Sequence, residues 1–348
     1  MNVKIPNTIV WTITNKCNLR CTHCSISELD GSGQKKELDT ARCLELIKHF
    51  AQLKIFGISF TGGEPLVRDD IKLLLRAAYE NGIICTLATN GVYVNGKVAR
   101  FLSSCKVPMV AISIDGWDSE SHNRIRGTGT FQKAVKAIKL LNEVGINVSV
   151  SVAIGRHNYQ SYERILNFLS TLPIESIRIQ VVSYFGRREG LRRDRVLSLS
   201  FQELKTLGEI TRSFCKSYGR CIVRFACNIG FLNYEYLKDW LREVNNLGVC
   251  GIGTDTLMIR PDGSVTTCIH GYLNETLGNL RNKNLDEILE SSTHILQKWY
   301  NKTHVNGNCV GCDIFPTCKG GCRALAELES GRFFDSDPNC KLYARKSE

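Results

Sequence analysis

Six short runs rich in β-branched and apolar residues punctuate the first 200 residues, and between them apolar residues recur at helical spacing. The runs are Thr8–Thr14, Phe56–Phe60, Ile83–Thr89, Pro108–Asp115, Asn147–Ile154 and Ser176–Ser183. Phe131, Val135, Ile138, Leu141 and Val144 make one such helical stripe, with Thr130 as its expected N-cap. Near-continuous apolar strands that alternate with amphipathic helices specify a parallel sheet covered by helices. A barrel and a doubly wound sheet both satisfy this pattern. In either, function gathers in the loops at the C-terminal ends of the strands.

The unusual residues fall in those loops. Cys17, Cys21 and Cys24, in TNKCNLRCTHC, follow the first run; Thr61-Gly62-Gly63-Glu64-Pro65 follows the second; Thr89-Asn90-Gly91 follows the third. Three thiolates within eight residues supply three corners of a four-iron cluster and leave one iron without a protein ligand. Thiolate coordination also suits zinc, so spacing alone does not name the metal. A structural zinc site needs four closed ligands, and the next cysteine, Cys43, lies in an expected helix facing the packing side.

Composition narrows the setting. A chain of 348 residues with 43% hydrophobic content accommodates one large α/β domain and an appendage. No run of eighteen apolar residues occurs, and MNVKIPNTIV lacks the form of a signal peptide, so a cytoplasmic protein without a membrane span is expected. Sixteen cysteines in a reducing compartment point to metal ligands rather than disulfides. The formal charge of +11 falls when cysteines become cluster thiolates, and no Lys/Arg tract with interleaved aromatics suggests a nucleic-acid partner.

Beyond these strands a helix opens at Ser200, where Ser200 and Glu203 form a capping box above the stripe Phe201, Leu204, Leu207 and Phe214. The alternation ends near residue 220. Cys250 then precedes a hairpin signal from Leu257 to Val265, turned by Pro261-Asp262-Gly263 and followed by Cys268. Asn284–Ser291 reads as a short helix, and Cys309, Cys312, Cys318, Cys322 and Cys340 close the chain. Cysteine-dense sequence this poor in core residues needs metal to fold.

The CxxxCxxC triad followed by the Gly-Gly-Glu-Pro turn resembles the radical S-adenosylmethionine (SAM) superfamily. The resemblance implies a partial (β/α)6 TIM-like barrel over residues 1–220. It implies that the open iron binds the amino and carboxylate groups of S-adenosylmethionine. Reductive cleavage then yields a 5′-deoxyadenosyl radical that abstracts a substrate hydrogen. By the same resemblance Gly62, Gly63 and Glu64 run along the cofactor's amino group, Ser113 and Asp115 address its ribose, and Arg126 meets its carboxylate. Ile154 and Asn158 flank adenine and ribose, and His23 occupies a position that is usually aromatic.

The seven cysteines from Cys250 to Cys340 resemble a complete SPASM domain, expected over residues 250–345 after a bridging segment 221–249. Two zinc ribbons are the competing reading. The resemblance implies two auxiliary [4Fe–4S] clusters, three clusters in all. Cys309, Cys312, Cys318 and Cys340 would hold the outer one and Cys250, Cys268 and Cys322 the inner one. Cys227, or else Cys221, would supply a fourth inner ligand; if neither does, the inner cluster keeps an open iron. Cys43, Cys85, Cys105 and Cys215 are expected to be buried as small hydrophobes.

This resemblance favours a peptide maturase close to the mycofactocin and pyrroloquinoline quinone enzymes, reduced by a flavodoxin or ferredoxin. The first strand begins almost at the first residue, so a separate leader-binding protein is expected to present the peptide. A small-molecule oxidoreductase acting on tetrapyrrole propionates or a cyclitol is the enzymatic rival. A non-catalytic iron–sulfur regulator is the rival of another class, though it should have lost a triad cysteine or the glycine turn. Ile269 and His270, which follow Cys268, argue against sulfatase maturation, where an Asp stands. The arginines among residues 186–195 are a solvated loop or a grip on the carboxylates of an acidic peptide or a polycarboxylate.

Overall fold

The computed structural model describes residues 4–24, 36–182, 198–219, 222–226, 232, 236, 251, 253–268, 276–300, 305–313 and 315–340. Along the chain run β1 (Thr8–Thr14), α1 (Thr40–Gln52), β2 (Gly57–Gly62), α2 (Ile71–Glu80), β3 (Ile84–Thr89), α3 (Gly96–Ser104), β4 (Met109–Ser113), α4 (Ser119–Arg126) and α5 (Thr130–Glu143). Then follow β5 (Asn147–Ile154), α6 (Tyr162–Leu169), β6 (Ser176–Val181), α7 (Phe201–Tyr218) and β7 (Val223–Phe225). The remainder holds β8 (Thr256–Ile259), β9 (Ser264–Thr266), β10 (Thr276–Asn279), α8 (Leu285–Ser291), α9 (Thr293–Tyr300), α10 (Phe315–Cys318) and α11 (Arg323–Ser330).

Two compact units emerge: Met1–Ile114 with Asp118–Ser149 and Gly251–Tyr300, and Asp115–Trp117 with Val150–Cys250 and Asn301–Glu348. In the first, the strand order is β10-β9-β8-β1-β2-β3-β4. Strands β8, β1, β2, β3 and β4 are mutually parallel, and β9 and β10 continue antiparallel. The second unit holds β6 and β7 in parallel. The expected α/β fold with a parallel sheet is present.

Strand β1 shows why this sheet forms. Ile9, Trp11 and Ile13 point one way and are at most 1% exposed, whereas Thr8, Val10 and Thr12 are half-buried on the other face. Trp11 stacks on Phe60 at 6.0 Å and meets the edge of Phe50 of α1 at 5.8 Å, so the core lies between strands and helices. The opposite face of β1–β4 carries small half-buried side chains, among them Thr12, Ser59, Thr61, Thr86, Ala88, Ala111 and Ser113. Side chains of that size leave room above the strands.

Helix α5 buries Ile138 and Leu141 of its expected stripe, but not Phe131, Val135 or Val144. Thr130, Ala134, Ala137, Ile138 and Leu141 are buried, while Phe131 and Val135 are only partly covered. Phe131 instead meets the edge of His122 of α4 at 5.6 Å. Gly129, at φ 73, is the N-cap, and Thr130 is the first helical residue, its hydroxyl donating to Gly127 O at 2.7 Å. In α7 the capping box of Ser200 and Glu203 is present, and Leu204, Leu207 and Phe214 are buried.

The hairpin β8–β9 turns at Gly263, φ 88, where the Asp262 carboxylate accepts from Ser264 N at 3.0 Å. It extends the N-terminal sheet: Thr8 to Trp11 pair with Thr256 to Ile259, and the hydroxyls of Thr8 and Thr256 meet at 2.7 Å. Arg42 of α1 donates to Leu280 O and Lys283 O, both at 2.8 Å, and fastens the segment before α8. Asn284, expected as the first residue of a short helix, is instead the N-cap of α8. No helix among the described residues is long and apolar enough to cross a membrane.

Candidate metal and cofactor site

The loop after β1 carries Cys17, exposed, and Cys21 and Cys24, half-buried. Local hydrogen bonds shape it: Leu19 N donates to Cys17 Sγ at 3.4 Å, and Cys24 N to Cys21 O at 3.1 Å. Thr22 N donates to Ile125 O of α4 at 3.0 Å. Burial pushes the Cys17 thiol up. The Leu19 amide opposes this, Glu64 and Cys24 add to it, and Arg126 draws it down. Cys17 thus lies within electrostatic reach of both a carboxylate and a guanidinium.

Gly62 and Gly63 bring the exit of β2 onto the same loop. Gly63 N donates to Thr14 O at 2.8 Å and Glu64 N to Lys16 O at 2.9 Å. A Cβ on either glycine would run into the carbonyl oxygens of Thr14, Asn15 or Lys16, and Gly62 has φ 148. The pair is therefore required by the chain's own backbone immediately before Cys17.

Glu64 is 1% exposed and links the exits of β2 and β3. Its carboxylate accepts from Thr89 Oγ1 at 2.7 Å, Asn90 N at 2.7 Å and Leu66 N at 3.1 Å. Burial raises its pKa, while Asn90, Thr89, Leu66 and the charge of Arg126 oppose the rise. Asn90 Nδ2 in turn donates to Asn18 Oδ1 at 2.8 Å, inside the cysteine motif. Arg126, half-buried, ends α4 and acts electrostatically on both Cys17 and Glu64.

Residues that the sequence did not single out hold this rim. Arg68 donates to Ile13 O at 2.8 Å, to Leu38 O at 2.9 Å and to both oxygens of Asp70, at 2.6 and 3.0 Å. Glu37, 3.8 Å from Arg68, accepts from Thr14 Oγ1 and Asn15 N, each at 2.9 Å. The available signal was weak: Arg68 sits three residues after Pro65, in a helix-entry turn where a surface arginine is ordinary.

In the second unit Asp115 is fully buried, and its Oδ1 accepts from Ala153 N at 2.8 Å. Asn158, 6% exposed, donates to Asp115 O at 3.0 Å and Ala153 O at 2.9 Å, and accepts from Gly155 N at 3.0 Å. Both side chains, aimed by the resemblance at a ribose, bind backbone. Ile154 is buried, and Ser113 and His23 are half-buried.

Five of the C-terminal cysteines lie close along the chain. Cys318 and Cys322 are buried and Cys309, Cys312 and Cys340 half-buried, all in the second unit. Burial pushes Cys318 up to about 11, reinforced by Asp337, and lifts Cys309 likewise. Among the described residues no group of three or more His, Cys, Asp or Glu is drawn together around a single ion position. Cys268 is buried in the first unit. Cys250, Cys227, Cys221, Ile269, His270 and the arginines of 186–195 lie outside the described residues. Cys43, Cys85, Cys105 and Cys215 are buried, at most 3% exposed.

Residues 11–169 match the radical SAM superfamily, and residues 250–319 match SPASM, an iron–sulfur cluster-binding domain. An AdoMet-dependent heme synthase of Nitratidesulfovibrio vulgaris is 28% identical over 97% of this chain and 93% of its own length. The mycofactocin maturase MftC of Mycobacterium tuberculosis is 29% identical over 96% of this chain and 83% of its own. In fold, the chain is similar to Streptococcus suis SuiB bound to precursor peptide SuiA, at TM-score 0.75 and 19% identity over 97% of this chain and 76% of that one. It is equally similar to anSMEcpe with bound AdoMet, at TM-score 0.75 and 21% identity over 97% and 95%. A thiol triad set between β1 and the Gly-Gly-Glu turn, a second run of cysteines downstream and both family matches place this chain in the radical SAM superfamily, as a member with a C-terminal SPASM domain.

Proposed function

We propose that Cys17, Cys21 and Cys24 hold a four-iron cluster with an open iron, and that the enzyme uses S-adenosylmethionine there to modify a residue of a ribosomally made peptide. When bound, cluster and S-adenosylmethionine together supply a one-electron reduction and a hydrogen-abstracting radical. The observation that carries this reading is the meeting of the cysteine loop with the Gly62-Gly63-Glu64 turn, where Gly63 N donates to Thr14 O and Glu64 N to Lys16 O immediately before Cys17. An amino-acid chelate is zwitterionic, and the loop offers Glu64 with the Gly62–Gly63 backbone for its ammonium and Arg126 for its carboxylate. The small side chains above β1–β4 leave space for the nucleoside.

Two further clusters are part of the reading. Cys309, Cys312, Cys318 and Cys340 hold the outer one; Cys250, Cys268 and Cys322 hold the inner one, with Cys227 as its fourth ligand. They take up the second electron as the peptide is cross-linked, oxidised or decarboxylated. A small separate protein presents the peptide, and a flavodoxin or ferredoxin is the reductant.

The mycofactocin maturase relatives support a peptide substrate. The heme synthases, equally similar across the chain, support a second reading in which propionate side chains of an iron porphyrin are the target. Anaerobic incubation with S-adenosylmethionine and dithionite separates the two. A short peptide encoded beside this gene should stimulate 5′-deoxyadenosine formation at least tenfold and change in mass, while a Cys17/Cys21/Cys24→Ala control stays silent. Stimulation by a propionate-bearing iron porphyrin instead would select the second reading. No 5′-deoxyadenosine under any condition would leave only the regulatory one.

A further inference from the structure

The C-terminal cysteines are not the only buried groups in their stretch of chain. Arg323 follows Cys322 at the start of α11 and is 2% exposed, which is exceptional for an arginine without a cause. Its guanidinium is fixed from several sides: Nη1 donates to Phe333 O at 2.9 Å and Asp335 O at 2.6 Å, and Nη2 donates to Gly320 O. The third donor, Nε–H, is buried and finds no acceptor among the described residues. The charge acts on Asp337 and on the sulfurs of Cys309, Cys322 and Cys318.

The backbone is built around this placement. Lys319, Gly320 and Gly321 have φ of 54, 83 and 75, so the chain between Cys318 and Cys322 curls through the left-handed region. A Cβ on Gly321 would collide with the Asp337 side chain, and one on Gly320 would crowd Arg323 and Val305. Asp337, fully buried, accepts from Cys322 N at 2.7 Å and Asn339 N at 2.9 Å, and so fixes the loop that bears the ligand. Two successive glycines thus admit a buried cation and a buried acid to one cysteine loop.

We propose that Arg323 sets the reduction potential of the outer cluster, its Nε–H donating to a cluster or ligand sulfur and its fixed charge favouring the reduced state. The proposal rests on the reading that Cys309, Cys312, Cys318 and Cys340 hold a four-iron cluster. One-electron reduction takes a four-thiolate cluster from about −2 to about −3, so an adjacent cation stabilises the product more than the reactant. Hydrogen bonds to cluster sulfurs act in the same direction. In the proposed reaction a raised potential lets this cluster accept the electron left on the substrate after hydrogen abstraction.

The test is a dithionite titration with redox mediators of the holoenzyme, followed by electron paramagnetic resonance. The outer signal is identified by its loss in Cys340→Ala. At fixed potential, Arg323→Gln should lower its reduced-to-oxidised ratio about tenfold, a midpoint ~59 mV more negative. Arg323→Lys keeps the charge and loses the Nε–H, and should fall between the two. The N-terminal cluster and iron per chain should not change. A wild-type midpoint in Arg323→Gln with full iron would overturn the proposal and leave the cluster reading intact. Loss of the outer cluster's iron in both variants would also overturn it, since the arginine would then only staple carbonyls. If wild-type enzyme shows no signal that depends on Cys340, the cluster reading itself fails.

Discussion

At the scale of single residues, Glu64 shows how a polar side chain inside a binding rim is committed to the fold before any ligand arrives. Three protein donors converge on its carboxylate, and a carboxylate has about four lone-pair sites, so roughly one remains. Arg126 is the complementary case, a half-buried cation whose field reaches Cys17 and Glu64. Its replacement should therefore touch binding more than folding. For Arg126→Gln we expect S-adenosylmethionine affinity to fall at least tenfold, about 1.4 kcal/mol, with iron content unchanged. Equilibrium binding under anaerobic conditions measures this, and an unaltered Kd would remove Arg126 from the site.

Between elements, the end of β1 is stabilised by an ionic network on the loops that follow it. Arg68, Asp70 and Glu37 together satisfy Ile13 O, Leu38 O, Thr14 Oγ1 and Asn15 N, all just upstream of Cys17 or beside α1. Burial pushes the Asp70 carboxyl up, but hydrogen bonds from Arg68 and Thr40 and the charge of Arg68 outweigh it, so the net pKa lies below the usual value. A carboxyl depressed on folding contributes stability above its unfolded pKa of about 3.9, and that contribution is lost as pH falls through the folded value. Asp70→Asn should thus be about 2 kcal/mol less stable at pH 7, with the gap narrowing below about pH 4. Urea unfolding of both proteins across that range would show a constant gap if Asp70 played no such part.

For the whole molecule the decisive quantity is iron. Anaerobically reconstituted enzyme should carry about twelve iron atoms per chain, falling to about eight in the Cys17/Cys21/Cys24→Ala variant and again to about eight in Cys340→Ala. Colorimetric iron with protein hydrolysis measures it, and four atoms in the parent would exclude both auxiliary clusters. What the sequence by itself determined is what depends on spacing along the chain. Strands β1 and β5 span the residues their patterns marked, and the Ser200 cap is where its side chain implied. Only the tertiary structure decided which distant segments meet. Nothing local in Thr256–Ile259 says that it will add to the edge of β1, 248 residues away at Thr8 and Thr256. Nor do the neighbours of Glu64 reveal that Thr89 and Asn90 will draw it inward, or those of Arg323 that Phe333 and Asp335 will bury it. Periodicity and capping are properties of a few consecutive residues, whereas burial and charge pairing arise only when separate stretches share one volume.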